Sequence, residues 1–255
     1  MRCLPTDDPL AVEAVNAIHS GDVATLRQLW TAHPELATVG LGGDVDQPGD
    51  RGMARTLLHV ATDWPGHFPN VTATIEALVA AGADVDARFT GPHHETPLHW
   101  AASSDDVTAV DALLDAGADI EARGAVIGGG TPLSDATAFG QWAAARRLLE
   151  RGARTTFGEA ATLGLIDRVH GCLDAEIPPT SQEITEAFWS ACHGDQPQVA
   201  DLLLRRGADI NWIGWDDLTP IDAARRSEAT HLAAWLEEHD GRTATEIAAP
   251  PNADG

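Results

Sequence analysis

Five of the 11 histidines of this 255-residue chain fall in one stretch: His59, His67, His93, His94 and His99. Asp63 and Glu95 are interleaved with them, and Asp105 and Asp106 follow closely. An imidazole beside a carboxylate exchanges protons near neutral pH, so the stretch has the composition of an acid–base site. His93-His94-Glu95 is its densest part, and His67 is a further proton donor or acceptor. Asp63 or Asp105 would orient them, with Trp64 and Trp100 as apolar walls. Such a set suits lyase, isomerase or cyclase chemistry on a small molecule better than redox chemistry. It serves a metal poorly. His59, Asp63 and His67 would align on an unbroken helix, but Pro65 and Gly66 interrupt it, and no metal or cofactor is expected.

A second cluster is aromatic. Trp212-Ile213-Gly214-Trp215-Asp216-Asp217 sets two indoles beside two carboxylates, which reads either as a recognition tip or as a plug for the end of the fold. Composition narrows what either cluster can do. The formal net charge is -23, with 16 Lys+Arg against 39 Asp+Glu, so phosphate backbones and anionic membranes are repelled. All the basic residues are arginine, which excludes a P-loop lysine and a Schiff-base amine. Cys3, Cys172 and Cys192 form neither a disulfide framework nor a thiolate zinc spacing, and no apolar leader or spanning segment is visible. The expected setting is cytoplasmic.

The elements that must position these residues follow from repetition. Gly82-Ala83-Asp84 recurs at Gly117-Ala118-Asp119, at Gly152-Ala153-Arg154 and at Gly207-Ala208-Asp209, each after an apolar helical run. Thr96-Pro97-Leu98-His99-Trp100-Ala101 recurs at Thr56-Leu57-Leu58-His59, Thr131-Pro132-Leu133-Ser134-Asp135 and Thr219-Pro220-Ile221-Asp222. Threonine caps a helix N-terminus, proline suits its first position, and glycine ends a helix in the left-handed conformation. On these phrases the chain resembles the ankyrin-repeat family. The resemblance implies an all-α solenoid of about six to seven helix-pair repeats with short projecting loops, one domain over residues 1–239. Units are expected near 9–41, 56–88, 96–123, 131–156, 157–177, 184–211 and 219–239, and residues 240–255 are expected to be disordered.

Departures from the repeat carry the functional information. The step from Thr to the apolar pair is 17 residues in Thr96–Leu113 and Thr131–Leu148 but 22 in Thr56–Leu78, so five residues are inserted around Asp63-Trp64-Pro65-Gly66-His67-Phe68. The family resemblance assigns His59 and His99 a structural role, whereas His93-His94-Glu95 replaces small loop residues. Asp106 reads as an N-cap. Asp135 fills the variable position of the signature and is expected on the concave face. Two readings stand. In the first, the concave groove and loops bind a protein, with Trp64, Trp100, Asp135, Trp212, Trp215 and Asp216 as contacts and a basic partner favoured by the charge. In the second, His67, His93, His94, Glu95, Asp63 and Asp105 form the acid–base site of an enzyme.

Overall fold

Threonine starts the first helix of nearly every repeat. Residues 3–42 and 52–249 are described by the computed structural model. Among them, Thr56, Thr96, Thr131, Thr156, Thr180, Thr219 and Thr243 each cap a helix reciprocally. The hydroxyl faces the backbone of the third helical residue, whose side chain returns to the threonine N–H. The returning group is His59, His99, Ser134, Glu159, Glu183, Asp222 or Glu246, so the exchange needs only a hydrogen-bonding side chain at that spacing.

The chain packs as two units, Met1–Arg154 and Thr155–Gly255. The first opens with β1 (Cys3–Leu4) and then holds four helix pairs. These are α1 (Pro9–Ser20) with α2 (Val23–Ala32), α3 (Leu57–Thr62) with α4 (Val71–Ala80), α5 (Pro97–Ser103) with α6 (Val107–Asp115), and α7 (Pro132–Ala138) with α8 (Trp142–Glu150). Between α2 and α3 lie β2 (Gly40–Gly42) and β3 (Ala54–Thr56). Strand β2 runs parallel to β1 and antiparallel to β3. Among the described residues this small sheet is the one departure from the all-α expectation, and strands of two or three residues are too short to show a period in the sequence.

The second unit holds α9 (Phe157–Thr162) with α10 (Ile166–Leu173), α11 (Ser181–His193) with α12 (Pro197–Arg205), and α13 (Pro220–Arg226) with α14 (Thr230–Glu238), then α15 (Ala244–Ala248). Helix α15 occupies part of the segment expected to be disordered. The Thr243–Glu246 capping box starts it, and Asp222 accepts from the Ala244 N–H at 2.8 Å. Residues 250–255 of that segment lie outside the described residues.

Within six of the seven pairs the turn follows one rule: a residue in the left-handed conformation precedes the cap of the second helix. These residues are Gly21, Asp105, Gly140, Gly164, Asp195 and Glu228, with φ between 54° and 70°. The pair α3/α4 breaks the rule, because the insertion lies there. The helix-ending glycines are conformational rather than steric: at Gly117, φ is +95° and an added Cβ would meet no atom within 4 Å. Leucine and alanine fill the core of the first unit, as at Leu57, Leu98, Leu133 and Ala101, while Phe188 anchors that of the second. Small side chains let neighbouring helices approach closely, which is what stacked pairs require. No helix among the described residues is long and apolar enough to cross a membrane.

Candidate binding site

The inserted loop is held at both ends. Asp63 pairs with Arg55 on β3 and accepts from the Trp64 N–H at 2.9 Å. The His67 backbone N–H donates to Asp106 Oδ2 at 2.6 Å, and Asp106 Oδ1 accepts from the Ala109 N–H at 2.9 Å. One buried carboxylate therefore caps α6 and fastens the loop. On the far side, Phe68 stacks on His19 at 4.5 Å and Asn70 donates to the Gly21 carbonyl at 2.9 Å. Trp64 is left 79% exposed on a pinned turn.

The next wall comes from α5. His59 and His99 are fully buried, and each Nε2 faces a backbone carbonyl of the following repeat, Glu95 O at 3.1 Å and Gly130 O at 3.4 Å. Only an Nε2–H can satisfy a carbonyl, so Nδ1 is the acceptor for the threonine that opens each helix. Burial disfavours the imidazolium and lowers both pKa values to about 4. These histidines are struts between repeats. Against His59 lies Trp100, edge to face at 4.9 Å, and Phe89 completes a three-ring cluster, 5.5 Å from Trp100 and 6.4 Å from His59.

Trp64 and Trp100 face a common pocket of about 440 Å³, which Asp63, Glu95, Ser103, Ser104, Val126, Phe139 and Gln141 complete. Val126 stands on the loop that the Gly124 N–H closes by donating to the Gly130 carbonyl at 3.0 Å, and Phe139 follows α7. Phe139 is 46% exposed, so the rim is apolar and open.

The floor is acidic. Glu95 is 7% exposed, and burial raises its pKa against the opposing pull of the Trp100 indole N–H and of His93. Asp135 is wholly buried, and neither carboxyl oxygen has a hydrogen-bond partner among the described residues. Burial, then the nearby Glu95 charge, pushes its pKa up to about 7. The Ile127 and Val126 backbone N–H groups pull the other way without completing a hydrogen bond. Asp135 and Phe139 are four apart on one side of α7, so the acid lies behind the pocket rather than on the open concave face where the sequence places it.

The structure gathers Asp63, Trp64, Glu95 and Trp100 and leaves the other expected residues elsewhere. Asp105 accepts from the Ala144 N–H at 2.7 Å, which caps α8 of the following repeat and removes it as an orienting carboxylate for an acid–base site. The His67 ring sits 4.0 Å from Asp106. His94 is exposed and spends its carbonyl on Arg88, while His93 is half-buried within electrostatic reach of Glu95. None of His67, His93, His94 and Asp105 lines the pocket. No group of three or more His, Cys, Asp or Glu among the described residues could hold a metal ion.

Trp212, Trp215 and Asp216 belong to the second unit and have partners there. Trp215 packs edge to face on Trp189 at 4.9 Å and on Trp212 at 5.4 Å. Arg226 bonds Asp216 at 2.5 Å and stands 5.8 Å from the Trp189 ring. Trp189 itself takes the histidine strut's place, its Nε1–H donating to the Leu218 carbonyl at 2.8 Å. Sequence reasoning missed it, though aligning the Asp195 turn with the Asp105 turn puts Trp189 opposite His99.

The family model described as ankyrin repeats (3 copies) matches residues 15–124 and 70–158, more than half of the chain. The chain belongs to the ankyrin-repeat family. Ankyrin repeats are in general protein–protein interaction modules. No curated protein matches this sequence. The crystal structure of the human ASB11 ankyrin repeat domain is similar, at 21% identity and a TM-score of 0.48, covering 96% of this chain and 94% of that one.

Proposed function

We propose that this ankyrin-repeat protein binds a protein partner through the pocket of its first unit. The observation that carries the reading is the exposed aromatic rim around that pocket, with Trp64 held out by a loop fastened to three repeats. A large exposed indole loses water-contact area only when covered, and rigid aromatics over a pocket anchor interfaces at small entropic cost. The net charge of -23 favours a basic partner. A cytoplasmic setting accords with the absence of any disulfide among the described residues.

The acid–base enzyme reading has weaker support. Of its residues only Asp63 and Glu95 reach the pocket, and Asp63 is held by Arg55. Position 64 tests the binding reading. With p-benzoylphenylalanine in place of Trp64, light should yield one discrete cross-linked protein in cells that make the chain. The same group in place of Ile177, exposed on the second unit, should not. Cross-linking only from Ile177 would reject the pocket as the interface.

A further inference from the structure

The floor of the pocket holds the Glu95 carboxyl, with the wholly buried Asp135 behind it, and the chain pairs neither with a cation. Among the described residues no arginine or histidine forms an ion pair with Glu95 or Asp135, although eleven such pairs occur elsewhere. Both oxygens of the wholly buried Asp135 lack a hydrogen bond. Glu95 lines the pocket, is 7% exposed and has no ion-pair partner among the described residues, so a cationic occupant compensates a carboxyl that the fold has taken out of water. Over this floor stand the Trp64 and Trp100 indoles, and an indole face attracts a cation. The second unit shows what such surroundings accept. There a guanidinium, that of Arg226, joins Asp216 while standing by the Trp189 ring.

We propose that the pocket receives one arginine side chain of the partner, its guanidinium between the indoles and directed at Glu95, with Asp135 behind. The inference rests on the protein-binding reading and specifies the residue recognised. A guanidinium offers planar donors to a carboxylate and a flat face to an indole at once, whereas an ammonium offers a point charge. A volume of about 440 Å³ accepts that side chain.

The test uses the intact protein and three probes: N-acetyl-arginine N-methylamide and its citrulline and lysine counterparts, titrated by tryptophan fluorescence and calorimetry. The arginine probe should saturate at about millimolar concentration, as befits so small a ligand. It should bind about tenfold more tightly than neutral citrulline or lysine, and about tenfold less tightly to Glu95→Gln. Trp64→Ala, at an exposed position that leaves folding intact, should weaken it comparably. Citrulline or lysine binding as well as arginine would overturn the proposal, as would no saturation of the arginine probe up to about 50 mM. Either result with the position-64 cross-link retained leaves the protein-binding reading standing. Arginine binding without any cross-link supports the pocket assignment and rejects the protein partner.

Discussion

Asp135 is where chemistry and stability conflict most openly. Its pKa rises from 3.8 to about 7, so between those values the folded state binds more protons than the unfolded chain. Stability from this group is present at low pH and is lost as pH rises towards 7. Asp135→Asn removes the ionisation and should stabilise the protein at pH 8 by up to about 4 kcal/mol, with little gain at pH 4. Urea unfolding at the two pH values measures it, and an equal effect at both would mean that the acid stays neutral throughout. The acid itself is legible in the signature phrase. Its burial is not, because the 124–130 loop and Glu95 come from other repeats.

At the scale of the element, the inserted loop and the histidine struts hold the pocket open. Asp106→Ala should orphan the His67 and Ala109 N–H groups and cost about 2 kcal/mol, with Asp106→Asn intermediate. Partner cross-linking at position 64 should fall with it, which separates a loop that presents Trp64 from one that merely fills space. The struts carry their own pH signature. Since His59 and His99 have folded pKa values lowered from 6.5 to about 4, their stabilisation is complete above 6.5 and is lost as pH falls through that window. Each contributes on the order of 3 kcal/mol, so the urea midpoint should drop markedly between pH 7 and pH 4.5. A His59→Gln, His99→Gln double variant should flatten that dependence. These histidines belong to the repeat phrase and are readable as structure, whereas Trp189 is hidden because an indole does the same task with a different atom.

Over the whole molecule the dominant quantity is charge. The eleven ion pairs among the described residues leave the acidic excess of 23 untouched, so the field around the chain is strongly negative. A basic partner should associate quickly at low salt. Its association rate should fall about tenfold or more as ionic strength rises from about 0.05 to 0.5 M, while dissociation, set by the buried contacts, changes less. Stopped-flow measurement resolves the two rates. A salt-independent association rate would place the recognition in the apolar rim alone.

The sequence by itself determines the repeats, the helix starts and the helix ends. Threonine caps, left-handed turn residues and closing glycines act within a few residues of one another, so their energetics are local. Trp64 and Glu95 also stand out in it as departures from the phrase, and Trp100 fills the phrase's variable position. Tertiary structure alone decides that these three share one pocket with Val126 and Phe139, that Asp105 is spent on capping α8, and that Trp212 and Trp215 pack against each other. Those outcomes depend on which surfaces the stacking of repeats brings within contact distance and which carboxyls it removes from water. The phrases of a single repeat carry no record of either.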